Sequence, residues 1–291
     1  MKITHLFFVL FFFATTAIAQ TNEIVYGSNP PAGHYATING IQLYYETYGS
    51  GEPLILLHGN GGSIHAFSKQ IPFFEKYYQV IAIDSRLQGK SGGSPDRISY
   101  DLMASDFCAL LDYLHIKSAY VLGWSDGGID GIVMAMNCHQ KVKRLAVSGA
   151  NTVPDSTAMS YDDILEMKDF VANNKTASKK EIALTKMMID QPNITYTSLK
   201  QIHCPVLVMA GDHDMIKPEH TLKIFQSIPG ASLCIFPIQI MVFVSSILNY
   251  SMKRYLLFSP NKLLILWFCK NEYHDRYRIK EKVDRKNQSN R

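Results

Sequence analysis

The residues best suited to chemistry stand together at Gly123-Trp124-Ser125-Asp126-Gly127-Gly128. A serine hydroxyl flanked by closely spaced glycines can act as an acyl-transfer nucleophile if the chain lifts it clear of its surroundings. A sharp strand-to-helix turn does this by forcing the serine into strained backbone angles, and side chains at the glycine positions would collide with that turn. The helix that follows contributes its free amides and its dipole, which favour an anion developing on the substrate. Such a turn needs a strand before it and a helix after it. The run Ala119-Tyr-Val-Leu122 reads as the strand, and the segment from Asp126 reads as the helix.

The rest of the chain supplies the frame that would hold this turn. Pro53-Leu-Ile-Leu-Leu57 and Gln79-Val-Ile-Ala-Ile83 are continuous apolar runs, as expected of strands buried on both faces. Val142 to Val147, Pro205 to Met209 and Leu233 to Phe236 add three more. Ser99 can cap a helix whose apolar face is Met103, Phe107, Leu110, Leu111 and Leu114, and Pro218 can start another that runs to Ile228. Gly40 to Tyr48 alternates weakly and leads into Gly49-Ser50-Gly51, which reads as a hairpin-like pair of strands. Strands alternating with helices predict a parallel sheet covered on both faces. Residues 152–202 break the rhythm with polar helical stretches, Asp162 to Phe170 and Lys179 to Met188, and read as a lid insertion.

His58-Gly59-Asn60-Gly61-Gly62 follows the strand that ends at Leu57. With the serine turn, it resembles the α/β-hydrolase superfamily, in its small esterase-like branch, over roughly residues 35–237. The resemblance implies an α/β-hydrolase fold: a mostly parallel sheet covered by helices on both faces, with a short helical lid insertion. It also implies that the backbone amides of Asn60 and Asp126 form the oxyanion hole, which leaves their side chains without an evident task. His58 would brace the oxyanion loop. Asp84-Ser-Arg86-Leu-Gln-Gly89-Lys-Ser91 is similar to a scaffolding loop of the family, with Leu87 where a glycine is common.

By the same resemblance, Gly211-Asp212-His213-Asp214 is the acid loop, and family spacing falls on Asp214, with Asp212 as the alternative. The acid would orient a histidine and stabilise its charged form. That histidine is expected just after the last strand. There the chain reads Pro237-Ile-Gln-Ile-Met-Val-Phe-Val-Ser-Ser-Ile-Leu248, without a histidine, and the next one, His274, sits in a polar basic tail.

A change of reading frame near Pro237 accounts for this. Read one nucleotide earlier, Met241-Val242 must yield glycine and Met252-Lys253 must yield glutamate, and a histidine precedes that glycine if Ile240 is encoded ATC. Composition marks the same boundary. The whole chain has a formal charge of +4, yet residues 1–237 hold 18 Lys and Arg against 21 Asp and Glu, while residues 238–291 hold 11 against 4. The basic balance is therefore no sign of a nucleic-acid or membrane partner. The expected domains are a signal peptide over 1–19, a hydrolase core over 20–237 and an aberrant or divergent segment over 238–291.

Lys2, the apolar run Leu6 to Phe13 and Ala17-Ile18-Ala19 have the order of a cleavable export signal, too short to span a membrane. The mature protein is thus expected to be periplasmic or secreted. Five widely spaced cysteines at 108, 138, 204, 234 and 269 show no metal-ligand spacing and no disulfide framework, and read as buried free thiols. A hydrophobic share of 47% with 19% charged residues excludes collagen-like, disordered and multi-span membrane chains. The expected function is a serine hydrolase that cleaves an ester or similar acyl bond of a small molecule, without cofactor or metal. The alternative is an inactive α/β-hydrolase-fold binding protein, since such a protein would lack the histidine.

Overall fold

The apolar runs pair into one eight-stranded sheet among the described residues, in the order β1-β2-β4-β3-β5-β6-β7-β8. The computed structural model describes residues 24–236. The signal segment 1–19, the segment 238–291 and His274 lie outside the described residues. In chain order the elements are β1 (Gly33–Ile38), β2 (Ile41–Tyr48), β3 (Glu52–Leu57), α1 (Ile71–Phe74), β4 (Tyr78–Ile83), α2 (Tyr100–Tyr113) and β5 (Ala119–Trp124), then α3 (Asp126–Asn137), β6 (Val142–Ser148), α4 (Tyr161–Asn173), α5 (Lys179–Asp190), β7 (Val206–Gly211), α6 (Pro218–Ser227) and β8 (Ser232–Phe236).

β3 to β8 are mutually parallel where they pair, and β2 joins β4 antiparallel. The hairpin is β1–β2, turned at Asn39-Gly40, both with positive φ (46° and 81°). The expected pairing across Gly49-Ser50-Gly51 is therefore corrected, because β4 lies between β2 and β3. Local turn chemistry could not reveal that insertion, which arises when a later strand finds the better-buried position.

Strand alternation divides the core. Ile55 and Leu57 face the layer of α2, α3 and α6, where Phe107, Leu111, Ile129 and Ile224 pack. Leu54 and Leu56 face the other layer, with Ile71 and Phe74 of α1. Helix α2 starts where Ser99 accepts from the Leu102 amide at 3.1 Å, and α6 starts on Pro218. Helices α4 and α5 form the insertion between β6 and β7. Met187 joins the main core, while Met159 and Ile164 pack on Ile216 of the acid loop.

The free-thiol reading is corrected for three cysteines: Cys234 is disulfide-bonded, and Cys108 of α2 and Cys138 at the end of α3 form a disulfide, with Cα atoms 6.7 Å apart. They are 30 residues apart in sequence and meet only because the two helices pack together. Cys204 is free. No helix among the described residues is long and apolar enough to cross a membrane.

Candidate active site

Ser125 stands between β5 and α3 with φ 54° and ψ −120°, a region that L side chains rarely occupy. The glycines explain how the turn survives. A Cβ on Gly123 would lie 2.0 Å from the Gly127 carbonyl oxygen, and one on Gly127 would lie 2.1 Å from that of Leu57. The Ser125 amide donates to the Ser148 carbonyl at 2.8 Å, and its carbonyl accepts from Gly128 and Ile129 at 2.8 and 3.1 Å. The serine is thus held by backbone on both sides, while its residue stays half-buried at the C-terminal edge of the sheet.

The loop after β3 comes against it: a Cβ on Gly59 would lie 3.0 Å from the Ser125 Cβ. Asn60 and Asp126 are neighbours here, and their side chains have a task that the sequence did not reveal. Asn60 Nδ2 donates to Asp126 Oδ2 at 2.8 Å and to the Leu184 carbonyl of α5 at 3.3 Å. The partners are separated by 66 and 124 residues, so no local pattern signals the contact. Asp126 is buried and also accepts from the Tyr100 hydroxyl; burial pushes its carboxyl up to about 6, and the Asn60 and Tyr100 hydrogen bonds pull against that rise.

His58 is buried with both ring nitrogens engaged. Its Nε2 accepts from the Ser85 amide at 3.0 Å, so the neutral ring carries its proton on Nδ1 and donates to the Gly59 carbonyl at 2.8 Å. Burial lowers its pKa to about 4. This is a brace between two loops, as expected. Asp84 serves the same scaffold, accepting from Ile64 and Lys90 amides at 2.7 Å each, and Arg86 pairs with buried Asp106 at 2.7 Å. Leu87 adopts φ 63°, which explains why glycine suits that position.

Asp214 lies at the end of β7, two strands from β5, at the same edge of the sheet as Ser125. Its carboxylate accepts from Gly211 at 3.3 Å and Ile216 at 3.1 Å. Burial raises its pKa, and the loop amides oppose that rise. The neighbouring Asp212 amide donates to the Phe236 carbonyl at 3.0 Å, so the end of β8 is tied to the acid loop. The position expected to carry the histidine begins where the described residues end.

His220 on α6 pins both roots of the lid. Its Nε2 accepts from the Thr152 amide at 3.1 Å and its Nδ1 lies 3.1 Å from the Tyr196 hydroxyl. Burial lowers its pKa to about 4, so it stays a neutral acceptor. A groove of about 590 Å³ runs between α5 and residues 95–98, lined in part by Ile98, Ile182 and Met187, and Ser125 does not line it.

Residues 52–179 match the family described as alpha/beta hydrolase fold. The chain is 29% identical over 225 residues to the human "Serine hydrolase BPHL", which covers 69% of this chain and 77% of that protein. It is 31% identical over 118 residues to "3-oxoadipate enol-lactonase 2" of Acinetobacter baylyi, covering 40% of this chain and 43% of that one. Among solved structures, an esterase from Exiguobacterium antarcticum aligns with TM-score 0.63 and 22% identity, covering 75% of this chain and 94% of that one. The strand–Ser125–helix turn, the mostly parallel sheet and these similarities give the chain the α/β-hydrolase fold.

Proposed function

We propose that the chain is built as an exported serine hydrolase that cleaves an ester or similar acyl bond of a small molecule. The observation that carries this is Ser125 at φ 54° and ψ −120°, on the first turn of α3 and against the Gly59 loop. In the proposed reaction the Ser125 hydroxyl oxygen attacks the acyl carbon and gives its proton to a histidine base. The Asn60 and Asp126 amides hold the oxyanion, and Asp214 orients the base. The base returns the proton to the departing alcohol, and water then releases the acyl group from Ser125. Similarity to proteins titled serine hydrolase, esterase and enol-lactonase supports an acyl substrate.

The base is the missing part. His58 and His220 each spend Nε2 on a backbone amide and Nδ1 on the Gly59 carbonyl or the Tyr196 hydroxyl, and Pro237 to Leu248 holds no histidine. We attribute this to a reading-frame change near Pro237. Sequencing the gene tests it: an ATC codon at Ile240 fits, and ATT or ATA overturns it. Without the base, hydrolysis falls by about a million-fold.

A fluorophosphonate probe tests the nucleophile. Labelling that disappears in Ser125→Ala supports it, whereas a frame-restored protein that is folded but never labelled favours an inactive binding protein, the reading that the missing histidine also fits. A panel of nitrophenyl esters of rising chain length on the frame-restored protein then reads acyl preference. Export is supported by the Cys108–Cys138 disulfide, a bond at home in oxidising compartments. Cleavage after Ala19 on expression with an export pathway checks it.

A further inference from the structure

We propose that Asn60 is a positioning residue whose side chain sets the oxyanion hole and couples it to the lid. The proposal rests on reading Ser125 as the nucleophile and the Asn60 and Asp126 amides as the oxyanion hole.

An oxyanion hole works only if its two amides keep a fixed separation. Here they come from unlike elements. Asp126 is the first residue of α3, a helix packed into the core. Asn60 sits in Gly59-Asn60-Gly61-Gly62, where three glycines bring no side chains to anchor the loop, and Gly61 has φ 66°. His58 holds the start of the loop through Ser85, and the Gly62 amide closes on the Gly59 carbonyl at 3.1 Å. The middle of the loop is held by the Asn60 side chain itself.

That side chain reaches two acceptors on two other elements. A carboxamide has two N–H donors. One goes to Asp126 Oδ2 at 2.8 Å, on the other oxyanion residue, and one to the Leu184 carbonyl at 3.3 Å, on lid helix α5. The first bond ties loop to helix and so fixes the spacing of the two amides. The second engages only when α5 is seated, so the lid's position is read directly at the oxyanion loop. Asp126 is well placed as the fixed partner: it is buried, and the Tyr100 hydroxyl of α2 also donates to its carboxylate. An aspartate in place of Asn60 could do neither task, because it has no N–H to donate and would face a second carboxylate.

The test uses the full chain with four variants: Asn60→Ala, Asn60→Asp, Asp126→Asn and the exchanged pair N60D/D126N. Hydrogen–deuterium exchange is read in residues 58–62 and 182–188, with β1–β2 as the internal reference for folding. The rate of Ser125 labelling by a small alkyl fluorophosphonate is the second readout. Asn60→Ala is expected to speed exchange about tenfold in both segments and to slow labelling by about 100-fold. Asn60→Asp behaves the same way or worse. Asp126→Asn, which leaves two amides facing, loosens 58–62. The exchanged pair restores the amide–carboxylate bond with roles reversed, so it recovers protection in 58–62 and labelling to within about threefold of the parent. It leaves 182–188 fast, because the carboxylate that replaces the Asn60 carboxamide has no N–H to donate to Leu184. Unchanged exchange in both segments of Asn60→Ala overturns the proposal, as does an exchanged pair that recovers nothing in 58–62. A frame-restored parent that is folded but never labelled overturns the nucleophile reading alone, and the exchange results still decide the role of Asn60.

Discussion

The two halves of the site edge are built differently. On the β3–β5 side, Ser125, Gly59, Asn60, Asp126 and His58 are locked to one another by backbone strain, close glycine contacts and side-chain bonds from four separate stretches of chain. On the β7–β8 side, Asp214 is held by amides of its own loop, and the neighbouring strand ends at Phe236, where the histidine should follow. The first half is complete within the described residues and rigid. The second offers, among the described residues, a carboxylate bonded to backbone amides. Under the proposed function, the difference teaches that the electrophile-binding half is built independently of the proton-transfer half.

The largest expected effect separates them chemically. Ser125→Ala should abolish probe labelling, while Asp214→Asn should change labelling of the present chain less than about threefold, because the acid acts only through a base. In the frame-restored protein Asp214→Asn should cost about 10,000-fold in kcat. A large Asp214 effect in the chain as it stands would mean that another base serves it, and would break the comparison. Backbone crowding comes next. Gly127→Ala drives a Cβ to 2.1 Å from the Leu57 carbonyl oxygen, and should cost about 4 kcal/mol in denaturant unfolding. Gly230→Ala, before β8, meets nothing within 4 Å and suffers only its φ of 69°, so about 1 kcal/mol is expected there. Replacing both Cys108 and Cys138 with serine should cost about 3 kcal/mol, and adding reductant to the parent should lower Tm in the same direction.

The smallest effect concerns Asp130, one turn beyond Asp126 on α3. It is fully buried, and neither carboxylate oxygen has a hydrogen-bond partner among the described residues. Burial raises its pKa well above the usual value, and Asp126, Asp106 and Asp101 raise it further. A carboxyl raised in the folded state contributes stability that is present below the ordinary carboxylate range and is lost as pH rises through the folded value. Asp130 therefore contributes a loss of stability on going from pH 4.5 to 8, and Asp126, at about 6, adds to that slope, while His58 and His220, lowered to about 4, contribute the opposite slope up to the ordinary histidine value. Asp130→Asn is neutral throughout and should be more stable than the parent by about 1–2 kcal/mol at pH 8, with the advantage shrinking at pH 4.5. Thermal unfolding at the two pH values checks both sign and size. Glu46 provides the contrast: equally buried, it accepts from the Gly27 and Asn29 amides and the Tyr44 and Tyr48 hydroxyls. Glu46→Gln should therefore destabilise.

Features whose cause lies within a few residues were legible in advance. The Ser125 turn, the Ser99 cap, the proline start of α6 and the two insertion helices depend on local backbone geometry and local periodicity, and all appear within three residues of where they were expected. Pairings across the chain were not legible. The β4 strand inserted between β2 and β3, the Cys108–Cys138 bond and the Asn60–Asp126–Leu184 contacts depend on which surfaces meet when the sheet closes.

By itself, the sequence determined the elements, the strained turn at Ser125 and the loop that carries Asp214, because residue type and short spacing dictate backbone conformation directly. Only the tertiary structure decided what the side chains of Asn60 and Asp126 are for. Separated by 66 residues, they meet because β3 and β5 lie side by side in the sheet, with the Asn60 loop and α3 leaving the same edge.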